Sequence, residues 1–294
     1  FGNATGDSFT FNGGLTTSSV AGTVTLNTSI SSSNDAMVFG AITLGNNVTL
    51  DTNASNTTGD LTLGVVTGGS NTLTLSTGNN VDDSDITATG NISGVTTLTL
   101  ADVGGSATFA GDVDVTTLVV GNPVANVALD GNGSTVANAV SFANDGALVL
   151  GNATGDTLTF NGGLTTTSVG GTVTLEGTIA TSNDAVVLGA VTLGSATTID
   201  TNASSNAADI TVAAITGGSN NLTLSTGNNI AGADITASGA ISGLGNLTLA
   251  DVGGTATFSN NVAAAALTAN NTVANITFTA GTNTLIAAST FANN

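Results

Sequence analysis

The chain has 294 residues, including 40 Gly and one Pro, and it contains no Lys, Arg, His, Cys, Trp or Tyr. Its acids give a formal net charge of −19, which no positive side chain offsets. That balance excludes nucleic acid, whose binding depends on Lys and Arg releasing phosphate counterions, and anionic membrane surfaces; it also excludes zinc, haem and iron–sulfur centres, which need Cys or His and leave only an oxygen-ligated cation such as Ca²⁺.

Taken in chain order, the recurring signal is an apolar–Thr–apolar triplet. Val24-Thr25-Leu26, Ile42-Thr43-Leu44, Val48-Thr49-Leu50, Leu61-Thr62-Leu63, Leu73-Thr74-Leu75, Leu98-Thr99-Leu100 and Ala107-Thr108-Phe109 follow one another, separated by Gly-Gly, Gly-Asn, Asn-Asp or Thr-Gly. Period-two alternation bounded by turn residues predicts short strands, and Val, Ile and Thr favour them. The Gly and Asn clusters supply the left-handed backbone that tight turns require. No window shows helical spacing. No apolar run approaches the roughly 18 residues of a membrane helix, so membrane insertion is not expected.

A longer period governs these strands. Gly2-Asn3-Ala4-Thr5-Gly6-Asp7 recurs as Gly151-Asn152-Ala153-Thr154-Gly155-Asp156, and Phe11-Asn12-Gly13-Gly14-Leu15 as Phe160-Asn161-Gly162-Gly163-Leu164. The offset from Phe11 to Phe160 is 149 residues, and it carries Ala101-Asp102-Val103-Gly104-Gly105 onto Ala250-Asp251-Val252-Gly253-Gly254 without a gap. Residues 1–149 and 150–294 are therefore expected to be two units of one solenoid with no linker. Inserting one residue into a stacked strand would swap its faces, which explains why the register is held so strictly.

An all-β fold follows: a parallel β-helix, or β-solenoid, of tandem 149-residue repeats. Turns of roughly 20 residues would give seven or eight turns per repeat. Val, Leu and Ile are expected to fill the bore with the ten Phe as stacked plugs, and Thr, Ser and Asn to form outer ladders. Phe1 and Thr290-Phe291-Ala292 are ordinary repeat sequence, not polar caps, so the array is expected to continue, within a longer chain or through copies of itself.

The strings 179–194 (beginning Ile179-Ala180-Thr181-Ser182-Asn183-Asp184), 197–202 and Asn221-Leu222-Thr223-Leu224-Ser225-Thr226-Gly227 resemble repeat regions of very large bacterial surface proteins. These are the filamentous-haemagglutinin-like and related β-strand-repeat adhesins, and the resemblance extends over essentially the whole chain. It implies secretion, a right-handed parallel β-helix, and a role in adhesion, biofilm or a surface appendage. Cell-surface or matrix polysaccharide is the partner that such a role implies. A fibre segment is the reading preferred here; the alternative is the stalk of a large secreted adhesin whose ligand site lies outside this segment.

The densest acids are Asp82, Asp83 and Asp85. Paired carboxylates can hydrolyse polysaccharides, one as acid and one as base. The second copy reads Ala231-Gly232-Ala233-Asp234 and keeps one carboxylate, with no His, Arg or Lys to assist it. No enzyme is expected. Calcium is the better chemical reading: Asp130-Gly131-Asn132-Gly133-Ser134 has the oxygen-and-glycine spacing of a short Ca²⁺ loop. Asp35, Asp184, Asp130, Asp82, Asp83 and Asp85 are the candidate ligands, against a plainer reading in which acids beside Gly or Asn satisfy turn amides. Thr-x-Thr pairs such as Thr72-Leu73-Thr74 suggest a flat Thr array of the ice-binding kind, but they are unevenly spaced along the chain.

Overall fold

The computed structural model describes residues 1–4, 6–55, 59–205 and 208–292. Among them there is no helix, only strands of two to ten residues joined by turns. They build a parallel β-solenoid of about 13 turns. The chain forms two compact units, Phe1–Ala137 with Phe142–Leu148, and Asn138–Ser141 with Val149–Asn294.

In the first unit each turn contributes three strands, and each strand pairs in parallel with its counterpart one turn on. One column runs through Ser8–Phe11, Ser29–Ser32, Val48–Asp51, Thr72–Ser76 and the second half of Ile92–Ala101. A second runs through Leu15–Thr16, Met37–Phe39, Leu61–Leu63, Ile86–Ala88, Val103–Phe109 and Val124–Leu129. The third begins at Val24–Leu26 and Ile42–Leu44. The second unit repeats the pattern, for example through Val186–Leu188, Ile210–Val212, Ile235–Ala237 and Thr255–Phe258.

Alternation along each short strand decides what goes inside. The triplet Leu61-Thr62-Leu63 is buried, half-buried, buried, and most other triplets follow it. Stacked turns then line the bore with like residues. Leu50, Leu75 and Leu100 lie one above another, as do Ile199, Leu224 and Leu249. Two of the Phe have a small neighbour on one side: Phe109 stacks over Ala88, and Phe258 over Ala237. Phe258 also stacks on Phe278, with ring centroids 5.2 Å apart and planes inclined by 18°. At about 25 cal/mol per Å² of apolar surface removed from water, these stacks are the main source of stability.

The turns are longer and fewer than the seven or eight per repeat expected from the sequence. Val24 pairs with Ile42, 18 residues on, but Val66 pairs with Ile92, 26 residues on. The extra length lies in corners, such as that between Thr72–Ser76 and Ile86–Ala88. Those corners use left-handed Asn: Asn79 and Asn80 have φ of 52° and 49°, and their equivalents Asn228 and Asn229 have 45° and 56°. Asn pays little for this conformation because its short amide bonds locally.

Candidate functional site

Several acids lie at or beside turns, where their carboxylates accept from backbone amides. Asp7 Oδ2 accepts from the Asn3 and Ala4 N–H groups at 2.9 and 3.3 Å, and Asp156 repeats this with Asn152 and Ala153 at 2.7 and 2.9 Å. Asp51 and Asp200 each accept from the amide two residues on, Asn53 or Asn202, at 2.9 Å. Such side-chain-to-backbone bonds define Asx turns.

A second use of the same chemistry links successive turns and was not anticipated from the sequence. The Asp85 N–H donates to Asp60 Oδ1 at 3.0 Å, and Asp85 Oδ1 in turn accepts from the Ser106 N–H at 2.7 Å. In the second unit Asp209, Asp234 and Thr255 form the same ladder at 2.9 and 2.6 Å. Asn91, Asp112 and Gly133 form another, at 3.1 and 2.8 Å. The signal was available: an Asp or Asn directly precedes the first apolar residue of the strand, as in Asp60-Leu61, Asp85-Ile86, Asn91-Ile92, Asp112-Val113 and Asp234-Ile235.

The six candidate calcium ligands are dispersed among these roles. Asp85 is in the ladder just described, and Asp82 and Asp83 are exposed at the preceding corner, with Asp83 at φ 65°. Asp130 donates its own N–H to the Phe109 carbonyl at 2.8 Å. Asp35 offers its backbone carbonyl to the Ser32 hydroxyl at 2.5 Å, and Asp184 does the same for Thr181. Among the described residues no three acids are grouped to hold a metal ion. Two different mutational costs follow. Asp85→Ala strands the Ser106 amide and should lower stability by about 1–2 kcal/mol, whereas Asp35→Ala should change it by less than about 0.5 kcal/mol, as read from urea midpoints. Equal losses would refute this division of labour.

Asp114 has a displaced titration. Burial raises its pKa and the neighbouring Asp112 carboxylate raises it further, against hydrogen bonding from Thr135, whose N–H lies 3.1 Å away. A raised native value means the folded protein holds this proton more tightly than the unfolded chain. The associated stabilisation is fully present below the ordinary carboxylate range and is lost as pH rises through the raised value. Asp114→Asn should therefore raise the melting temperature at pH 7, and the gain should vanish at about pH 3 where both side chains are neutral. A gain that persists in acid would refute the assignment.

The outer faces carry hydroxyl ladders. In the second unit Thr157, Thr178, Thr198, Thr223, Thr248, Thr268 and Thr290 succeed one another turn by turn along one face. In the first unit Thr62, Thr87 and Thr108 form a similar ladder. Uneven spacing along the chain thus becomes even spacing in space, because the corners absorb the difference. The surface clefts expose the same groups: one of about 420 Å³ is lined by Gly170, Gly171, Thr172, Ala190, Val191, Thr192, Ala214 and Thr216. It presents hydroxyls and main-chain amides, with no carboxylate. Inside the first unit Asn144 is fully buried, its Nδ2 donating to the Ala125, Gly146 and Ala147 carbonyls at 3.1, 3.1 and 2.9 Å, which fixes a corner.

The chain is thus a repeating β-solenoid of about 13 turns; no protein-family model, curated protein or solved structure matches it.

Proposed function

We propose that this chain is a structural segment of an extracellular fibre or surface appendage, built by stacking β-solenoid repeats and serving adhesion, biofilm or a matrix. The observation that carries this reading is the gapless 149-residue repeat, in which equivalent Asp residues of both units bond the main chain of the next turn. A repeat made this way supplies length and stiffness. Each added turn extends the sheet by about 4.8 Å and is held by the same bonds as the last. The charge of −19 keeps neighbouring fibres apart at low salt, and salt screens that repulsion over about 8–10 Å at physiological strength.

The placement outside the cell and the adhesive role rest on the resemblance of the repeat strings to bacterial surface adhesins. Catalysis is not part of the proposal, since the second copy keeps only Asp234 where the first has Asp82, Asp83 and Asp85, and the sequence offers no His, Arg or Lys to assist a carboxylate. The test is negative-stain electron microscopy of the purified chain, once with calcium and once with chelator. Long filaments with an axial period are the expected result. Filaments lost in chelator would add calcium as a component of the joint. Isolated particles in both conditions would overturn the fibre reading in favour of a stalk.

A further inference from the structure

The 149-residue repeat is not a whole number of solenoid turns, and residues of the second unit alone show it. Val140–Ser141 belongs to a column of that unit which continues through Leu164–Thr165, Val186–Leu188, Ile210–Val212, Ile235–Ala237, Thr255–Phe258 and Asn275–Phe278. Six turns thus carry Ser141 to Thr277 within one column. One repeat beyond Ser141 lies Thr290, and a repeat of whole turns would keep it in that column. Thr290 pairs instead with Thr268, in the column that holds Thr157, Thr178, Thr198, Thr223 and Thr248. Between Thr277 and Thr290 the chain passes through Thr284–Leu285, which belongs to the remaining column. The repeat therefore advances six turns and two of the three faces of a seventh. Spread over six and two-thirds turns, 149 residues give about 22 per turn, within the 18 to 26 described above.

Charge gives this mismatch a consequence. Five of the seven acids in residues 150–294 follow one edge of the solenoid. Asp200 ends, and Asp251 follows, a strand of the Thr157 column, while Asp184, Asp209 and Asp234 stand just before strands of the Val140 column. One repeat back these positions are Asp35, Asp51, Asp60, Asp85 and Asp102, so all five acids belong to the repeat itself. We infer that in a fibre of tandem copies this acidic edge winds about the axis, passing to a neighbouring edge with each copy and returning after three. At about 4.8 Å per turn, one copy rises about 32 Å and the full cycle takes about 96 Å. A repeat of whole turns would draw these five acids of every copy into one straight line and leave the other edges freer for side-by-side packing. Winding carries the charge to every side, and a second fibre without Lys or Arg has nothing to pair with it.

The winding rests on the fibre reading, whereas the mismatch between repeat and turn belongs to the chain and can be measured in it. The chain has no Cys, so paired substitutions report the phase directly. Ser141→Cys with Thr165→Cys, and Thr268→Cys with Thr290→Cys, each place two thiols on adjacent strands about 4.8 Å apart, within reach of a disulfide. Mild oxidation of the full chain at low concentration should consume the thiols of both pairs, as read by mass after alkylation in denaturant. Thr277→Cys with Thr290→Cys, on different faces, should react roughly tenfold less. A preference for the Thr277 pair, equal reaction of both Thr290 pairs, or failure of either adjacent pair would overturn the mismatch and the winding with it. In filaments, helical reconstruction from electron micrographs should place successive copies about 32 Å apart, each rotated by one third of a turn. The same rise without rotation would overturn the winding and leave the fibre intact. Dispersed particles that keep the expected disulfide pattern would overturn the fibre reading and uphold the mismatch.

Discussion

Phe109→Ala should lower the unfolding free energy by about 3–5 kcal/mol, the cost of removing a buried ring from a site that cannot collapse. Phe109 is fully buried and is held between Ala88 of the turn before and Leu129 of the turn after. The backbones above and below are fixed by their own sheet pairing, so neither can move in to fill the space. Ala88 cannot help, since its small side chain is what made room for the ring. A solenoid also has few routes for spreading a defect, because each turn touches only its neighbours. The loss should therefore be local: hydrogen exchange should speed most in strands 86–88, 103–109 and 124–129. The urea midpoint and the exchange map test this. A loss below about 1 kcal/mol would show that the bore is more compliant than its packing implies.

Gly104→Ala should be comparably harmful for a different reason. A Cβ at residue 104 would lie 2.1 Å from the Val81 carbonyl oxygen and 2.5 Å from its nitrogen, both main-chain atoms. Gly253 meets the same obstruction, with main-chain atoms of Asn229 and Ile230 at 2.4 Å. A flexible side chain could swing aside; a neighbouring turn cannot without breaking its ladder. We expect a loss of about 2–3 kcal/mol, at the upper end of overpacking costs. Gly13→Ala is the control, since a Cβ there meets nothing within 4 Å, and its midpoint should hardly move. If Gly104→Ala behaved like Gly13→Ala, the close approach of the two turns would be wrong. The pair recurs because two turns come this close at equivalent corners of each unit.

Much of this fold was legible in the residues. Val, Leu, Ile and Thr alternating between Gly and Asn clusters specify strands and turns locally, and the burial of Leu61, Thr62 and Leu63 follows from that alternation alone. The 149-residue offset also says that equivalent residues take equivalent conformations, as left-handed Asn34 and Asn183 do, both at φ 69°. The candidate site was less legible. Asp85 and Asp35 look alike in sequence, each beside a polar neighbour and ahead of an apolar residue or Ala. Only stacking reveals that the Asp85 carboxylate meets the Ser106 amide one turn on, while Asp35 contributes its main-chain carbonyl.

What the sequence determined by itself was therefore whatever depends on near neighbours along the chain: strand, turn, inward or outward face, and the absence of any cation to balance the acids. What only the tertiary structure decided was which residues meet across turns. Turn length varies from 18 to 26 residues, so partners cannot be read from a constant spacing. The corner loops set those lengths, and they are positioned by main-chain pairing of strands that lie far apart in sequence. That pairing stacks Thr198 on Thr223 and Phe109 on Ala88, and brings Asp85 beneath the Ser106 amide.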